Sequence, residues 1–151
     1  MNMASLQMRT WIVFADLVNV NLICSDISIW LVERNLTGHL FPLELLAREA
    51  LNNAIIHGCQ TNPAMQVYAE LECDENTLSL TIRDEGIGFD WQGALQDNVF
   101  DDDRENGRGL KLYRLYADRV EFNDRGNQVI LIRSLRNRTL FKSFQEKSEG
   151  K

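Results

Sequence analysis

A carboxylate and an amide stand four residues apart in the segment EALNNAIIHG, as Glu49 and Asn53. On a helix this spacing places the two side chains one above the other. An amide oxygen can hold Mg²⁺, and a carboxylate can accept the proton of an attacking hydroxyl, which are two tasks of phosphoryl transfer. Taken alone, the pair is more typical of a solvated polar edge, so its chemistry depends on the motifs around it.

The segment RDEGIGFD combines an acidic residue with two glycines at the end of a run that alternates like a strand. Asp84 could accept a hydrogen bond from an exocyclic amine such as that of adenine. Gly86 and Gly88 would let the backbone approach a ligand closely. An ordinary turn between strand and loop has a similar composition, so this segment also needs support from the rest of the chain.

A second glycine-rich segment, ENGRGLK, leads into a predicted helix. Free backbone N–H groups and a partial positive charge favour phosphate at such a position. Arg108 and Lys111 would add cationic groups. The predicted nucleotide contacts of this segment are Gly107, Arg108, Gly109, Leu110 and Lys111.

The first half of the chain predicts a strand at residues 10–15, a helix at 20–34 and a second helix at 42–57. The second helix is better marked, because Pro42 suits a first helical turn and Gly58 suits the residue just past the end. Its predicted buried stripe is Leu43, Leu46, Ala47, Ala50, Leu51 and Ala54. The stripe of the first helix is Ile23, Ile27, Trp30 and Leu31. The carboxylate and the amide lie at the edge of the second stripe, where a groove between helix and sheet would open.

The second half predicts two antiparallel hairpins with a helix between them. The predicted elements are strands at 65–73 and 77–83, a helix at 110–117, and strands at 119–123 and 128–134. Periodicity is lost between residues 86 and 109, as in a functional lid. Helices on one face of a sheet are the natural packing of this order. We therefore predict an α+β fold, a two-layer α/β sandwich with a mixed, mainly antiparallel sheet.

The composition of the chain indicates which classes of binding partner and which cell compartment to expect. A formal charge of −6 would repel nucleic acid and anionic membranes, so we expect neither as a partner. The cysteines lack C-x-x-C spacing, which suits a reducing cytoplasm better than a disulfide framework or a zinc site. No run of about 18 apolar residues predicts a membrane span. We expect a cytoplasmic domain at residues 1–134 and a basic, mobile tail at residues 135–151.

The order and spacing of the three motifs indicate more than any motif alone. EALNNAIIHG, RDEGIGFD and NGRGL together resemble the N box and the two glycine boxes of the Bergerat-type, histidine-kinase-like ATPases. Within that superfamily, the ending NAIIHG is similar to that of the bacterial anti-sigma-factor serine/threonine kinases, which act in partner-switching systems. The resemblance covers about residues 10–134 and implies a Bergerat-type ATP-binding fold.

The resemblance also implies a role for each matching residue. Glu49 would be the general base toward the substrate hydroxyl, and Asn53 would bind Mg²⁺. Asp84 would read the adenine amino group, while Gly86 and Gly88 would shape the base pocket.

In the second glycine box, Gly107 and Gly109 would end the ATP lid, with Arg108 in contact with phosphate. The implied function is that of an ATP- and Mg²⁺-dependent kinase that phosphorylates an anti-sigma-factor antagonist and binds a sigma factor. A homodimer is also implied, and we place its contact at the strand of residues 10–15. An acidic run departs from the pattern, since it would repel a triphosphate: Asp97, Asp101, Asp102, Asp103 and Glu105.

Other functions stay open at this point. A nucleotide-dependent module could sequester a protein partner without phosphoryl transfer, although Glu49 favours an enzyme because binding alone needs no base. A sensor histidine kinase would need a helical segment with a phosphoacceptor histidine before the N box. A gyrase- or mismatch-repair-type ATPase would need a second, transducer domain. We interpret His39 and His57 as structural residues. We expect the tryptophans, Trp11, Trp30 and Trp91, to pack in or beside the core.

Overall fold

The computed structural model describes residues 5–88, 90 and 105–136, and of residues 105–108 it describes the backbone alone. Eight helices and strands lie within these residues. Their bounds are β1 Gln7–Phe14, α1 Val18–Glu33, α2 Leu40–Asn53, β2 Gln66–Cys73, β3 Thr77–Asp84, α3 Glu105–Tyr116, β4 Arg119–Phe122 and β5 Gln128–Ser134. A 3-10 turn, Thr37–His39, leads into α2, and a π-helical turn, Ala54–Gly58, follows it.

The strands form one sheet in the order β1-β2-β3-β5-β4. Both predicted hairpins are present. Every strand pair in the described part of the chain is antiparallel, so the parallel pairing that a mixed sheet implies is not found there. The register brings Leu71, Leu80 and Leu131 into one row across three strands, and all three side chains are fully buried.

The helices cover one face of this sheet. Strands β2, β3 and β5 alternate between buried and half-buried positions, which is the period-two pattern of a sheet with one covered face. The residues of both predicted helical stripes are all buried, from Ile23 to Leu31 on α1 and from Leu43 on α2 to Ala54 in the π turn. The predicted α+β, two-layer architecture is thereby confirmed.

The predicted helices differ most from the structure at the end of the second helix and at the start of the third. The second helix is α-helical only to Asn53, and the Cys59 N–H then reaches the Ala54 carbonyl oxygen at 2.8 Å in a wider π turn. The third helix begins at Glu105 rather than at residue 110. Gly109 therefore lies inside α3, where glycine is a poor helix former but allows the closest approach to a neighbouring helix.

A buried arginine joins the helical layer to the sheet. Arg133 of β5 is only 3% exposed. Its Nε donates a hydrogen bond to His39 Nδ1 at 3.0 Å, and its Nη1 donates to the carbonyl oxygen of Tyr116. These contacts fix the start of α2 and the end of α3 over one strand, and they agree with a structural role for His39.

Some of the remaining predictions concern described residues, and others fall outside them. Trp11 and Trp30 are buried, as predicted. Trp91, the acidic residues at 97 and 101–103, and residues 137–151 lie outside the described residues. No helix in the described ranges is both long enough and apolar enough to span a membrane. The division between domain and tail stays a prediction.

Candidate functional site

A cavity opens between the end of α2, the first turns of α3, the end of β3 and the turn between β4 and β5. Its volume is about 110 Å³, which is smaller than the apolar cavity of about 150 Å³ that binds benzene. The apolar lining side chains are Ala50, Ala54, Ile82, Leu110, Tyr113, Phe122 and Val129. The polar ones are Asn53, His57, Asp84, Asn127 and Gln128.

Asp84 is the acidic side chain of this lining, at the last position of β3. Its Oδ1 accepts a hydrogen bond from the Gly86 N–H at 2.7 Å. Burial raises the pKa of the Asp84 carboxyl, while the Gly86 N–H and the Arg125 guanidinium oppose that rise. A carboxylate can accept about four hydrogen bonds, so Asp84 keeps acceptor capacity for a ligand amine.

The backbone around Asp84 is packed more closely than any side chain would allow. A Cβ added at Gly58 would lie 2.3 Å from Asp84 Cγ, and one added at Gly86 would lie 2.0 Å from the Gly58 carbonyl oxygen. The π turn of α2 therefore contacts the strand end through two glycines. This contact holds the carboxylate at the wall of the cavity.

Gly88 makes a third close approach, on the far side of the same loop. Its φ is +87°, and an added Cβ would lie 1.7 Å from the Arg125 carbonyl oxygen. Arg125 in turn donates from Nη2 to the Gly86 carbonyl oxygen at 3.2 Å. The loop of residues 86–88 and the turn between β4 and β5 thus form one wall of the cavity.

Glu49 and Asn53 lie where α2 packs against α3. A Cβ added at Gly109 would lie 2.9 Å from Glu49 Oε1 and 2.9 Å from Asn53 Nδ2, so the backbone of α3 rests on both side chains. Asn53 also donates from Nδ2 to the Tyr113 hydroxyl at 3.0 Å. Asn53 lines the cavity, whereas Glu49 lies beside it, one helical turn earlier.

This donor set fits Mg²⁺. An amide oxygen and a carboxylate are hard oxygen ligands, and Mg²⁺ is usually bound through one or two protein groups together with substrate phosphates and waters. Within the described residues, no three His, Cys, Asp or Glu side chains come together as a complete protein cage. The first turn of a helix beside these oxygens is also a position that favours phosphate.

Of the other predicted nucleotide contacts, some lie at the cavity and some do not. Leu110 lines the cavity. Lys111 is exposed and is not a lining residue, and its phosphate contact stays a prediction. Gly107 and Arg108 lie in the first turn of α3, but the Arg108 side chain is not described. His57, interpreted as structural, is exposed in the π turn at the cavity.

The sequence analysis did not identify two residues at the cavity, Asn127 and Tyr113. Asn127 donates from Nδ2 to the Asp84 carbonyl oxygen at 2.9 Å, and its own carbonyl accepts from the Asp84 N–H at 2.9 Å. This contact depends on the pairing of β3 with β5, which no local pattern shows. Tyr113 had a usable signal, because it stands four residues after Gly109 and so on the same helical face.

Most of the chain matches known proteins. The family model described as a histidine kinase-like ATPase domain matches residues 13–133, which include all the lining residues. The anti-sigma F factor of Heyndrickxia coagulans is 33% identical over 102 residues, covering 65% of this chain and 67% of the relative. That of Bacillus cytotoxicus is 34% identical over 85 residues, covering 54% of this chain. The chain spans only 58% of the length of this second relative.

We expect Gly88→Ala to weaken nucleotide binding. The positive φ and the Arg125 carbonyl oxygen leave no space for a methyl group. Strain of this kind amounts to about 1–3 kcal/mol, so the Kd for ATP should rise about tenfold or more. The measurement is isothermal titration calorimetry of both proteins.

Gly38→Ala is the matched control, because an added Cβ at Gly38 meets no atom within 4 Å. It should leave the Kd for ATP unchanged. Equal affinity in wild type and Gly88→Ala would show that this loop does not shape the binding site.

Proposed function

Because the chain belongs to the family of histidine kinase-like ATPase domains, we propose that it binds ATP in the described cavity and acts as a protein serine/threonine kinase. The observation that carries the proposal is the packing of Glu49 and Asn53 against Gly109 beside the cavity. It brings the proposed base, Glu49, and the proposed cation ligand, Asn53, to the first turns of a helix, where phosphate is favoured. The apolar side chains and the acidic group of the cavity lining suit a base.

The adenine ring would lie between the apolar side chains of α2, α3 and β5. Its exocyclic amine would donate to Asp84, whose carboxylate retains acceptor capacity at the cavity wall. Gly86 and Gly88 would serve the pocket indirectly, by allowing the close backbone packing that holds Asp84 in place. Recognition through one half-buried acceptor suits discrimination between an amine and a carbonyl on the base.

The triphosphate would lie toward the first turns of α3. Gly107, Gly109 and Leu110 would offer backbone, and Arg108 and Lys111 would offer charge. Asn53 would hold Mg²⁺ through its amide oxygen, and the cation would shield the charge of the phosphates.

Glu49 would then act on the substrate. The hydroxyl oxygen of a serine or threonine forms a bond to the γ-phosphorus, and the bond from that phosphorus to the β–γ bridging oxygen breaks. The hydroxyl proton passes to Glu49, and ADP leaves with the electron pair of the broken bond. A half-buried carboxylate beside the phosphate site is suited to this proton transfer.

The relatives point to the class of partner. Since they are named anti-sigma F factors, we propose that this protein phosphorylates an anti-sigma-factor antagonist in the cytoplasm and binds a sigma factor. The net charge of −6 fits protein partners better than nucleic acid or an anionic membrane.

We expect Glu49→Gln to abolish phosphoryl transfer while ATP still binds. General-base catalysis contributes about 10²–10⁴-fold, so transfer should fall by at least about 10². The measurement is transfer of labelled γ-phosphate from Mg-ATP to proteins of a lysate of the source organism, with phosphoamino-acid analysis of the product.

Glu44→Gln is the matched control on the same helix, since Glu44 is exposed and pairs with Arg48 at 3.3 Å. It should transfer phosphate like the wild type. If the wild type labels no protein although it binds ATP, a module that sequesters its partner without phosphoryl transfer becomes the better explanation.

A homodimer also belongs to the proposal. In the described part of the chain, β1 pairs only with β2 and leaves its other edge open. Apolar side chains are exposed along it: Met8 is 50%, Ile12 65% and Phe14 55% exposed. The outer side of α1 adds the exposed residues Val18, Leu22, Ile29 and Val32. A second copy of the chain would cover this apolar surface.

We expect sedimentation equilibrium to show a dimer of the wild type and a weaker dimer of Ile12→Asp. A charge in an apolar contact should raise the dimer Kd at least about tenfold. Leu115→Asp is the control, because Leu115 is 53% exposed on α3, beside the opposite edge strand β4. A wild type that sediments only as a monomer contradicts the dimer.

A further inference from the structure

A pair of asparagines ties the turn between β4 and β5 to the end of β3. Asn127 lies in the cavity lining and donates from Nδ2 to the Asp84 carbonyl oxygen at 2.9 Å. Its own carbonyl oxygen accepts from the Asp84 N–H at 2.9 Å. Asn123 stands four residues earlier and donates from Nδ2 to Asn127 Oδ1 at 2.6 Å. Both polar groups of the Asp84 backbone are therefore bonded to one residue of the turn.

Backbone groups determine which way each amide of this pair points. The N–H groups of Asn127 and Gln128 lie 3.0 and 3.2 Å from Asn123 Oδ1, and a backbone N–H can only donate. Asn123 must therefore turn its oxygen toward them and its NH₂ group toward Asn127. The Asn127 amide accepts that bond through its oxygen, which leaves its NH₂ group for the Asp84 carbonyl oxygen, a group that can only accept. Neither amide can be reversed without the loss of a hydrogen bond.

The hairpin of β4 and β5 does not require the Asn127 side chain. Its turn is closed by the backbone, from the Asn123 N–H to the Gln128 carbonyl oxygen at 3.2 Å and from the Gly126 N–H to the Asn123 carbonyl oxygen at 3.1 Å. The Asn127 amide instead reaches out of the hairpin, to the last residue of β3. That residue is the proposed reader of the base.

The bond to the Asp84 carbonyl oxygen also bears on the Asp84 side chain. The Gly86 N–H donates to the Asp84 carboxylate at 2.7 Å. An aspartate that accepts from the N–H two residues later forms an Asx-turn, whose shape depends on the backbone between the two residues. The Asp84 carbonyl belongs to that backbone. A shift of this carbonyl would therefore move the N–H that holds the carboxylate at the cavity wall.

We propose that Asn123 and Asn127 are positioning residues, which set the place of the Asp84 carboxylate and with it the preference of the cavity for adenine. The inference rests on the proposed function, in which Asp84 accepts a hydrogen bond from the adenine amine. Asn127 acts on Asp84 through the backbone, and Asn123 acts through Asn127. The turn between β4 and β5 thereby takes part in base recognition, although it lies outside the three motifs.

The test is the Kd of the full chain for ATP and for inosine triphosphate, in which an oxygen replaces the exocyclic amine. In Asn127→Ala we expect the preference for ATP to fall about two- to tenfold, the range of one neutral hydrogen bond, because the carboxylate is no longer held where it meets the amine. The Kd for inosine triphosphate should stay within about twofold of the wild-type value. A loss of affinity that is equal for both nucleotides would mean that Asn127 only supports the structure, and it would overturn the proposal.

Asn123→Asp tests the link between the two amides with almost no change in size. Its carboxylate can still accept from both backbone N–H groups, but it cannot donate to Asn127. The Asn127 amide should then turn its NH₂ group toward residue 123 and its oxygen toward the Asp84 carbonyl, so the preference for ATP should fall as in Asn127→Ala. In an Asn127→Ala background, Asn123→Asp should cause no further fall. An undiminished further fall would trace the effect to the added charge and overturn the role of the pair.

Asn19→Ala is the matched control, because Asn19 Nδ2 also donates to a carbonyl oxygen at the end of a strand, that of Phe14 on β1, at 2.9 Å. It should leave both Kd values unchanged. If the wild type itself binds both nucleotides equally, Asp84 does not read the amine, and the premise fails together with the proposal. If the wild type prefers ATP and Asn127→Ala keeps the full preference, only the role of the asparagines is overturned.

Discussion

The half-buried carboxylate of Asp84 is the constraint on which the rest of the site depends. Burial raises its pKa above that of an unfolded aspartate, so folding favours the protonated form. The stability that this preference contributes is fully present below the pKa of the unfolded state and is lost as pH rises through the raised pKa of the folded state. The ionised Asp84 therefore lowers the stability of the fold at neutral pH. A charge kept at such a cost is typical of a functional site. Gly58, Gly86 and Asn127 hold it from three directions.

Helix α3 contributes both to the cavity lining and to the contact with Glu49 and Asn53. Leu110 lies against the space for a ring, and on the adjoining face Gly109 and Tyr113 rest on the side chains of α2. Any displacement of α3 would therefore change the base pocket and the proposed cation ligand together. Arg133 fixes the far end of α3 to the sheet, through the carbonyl oxygen of Tyr116.

Local patterns in the sequence predicted most of the fold. The helical stripes on α1 and α2 and both hairpins follow from spacing alone, because each depends on neighbours within a few residues. The π turn at residues 54–58 and the start of α3 at Glu105 were missed, since both adjust a helix to contacts made across the fold. For the same reason, Asn127 was invisible until β3 and β5 were seen to pair. The three motifs named the candidate residues, and the sheet and helices showed that Asn53 and Asp84 line one cavity, with Glu49 beside it.

The most direct measurement is the affinity of wild type and Asp84→Asn for ATP and for inosine triphosphate, which carries an oxygen in place of the exocyclic amine. If Asp84 reads that amine, wild type should bind ATP at least about tenfold more tightly, because the oxygen of inosine triphosphate would repel the carboxylate instead of donating a hydrogen bond to it. Asp84→Asn should lose most of this preference. Equal binding of both nucleotides by the wild type would contradict the central claim that the cavity is an adenine site.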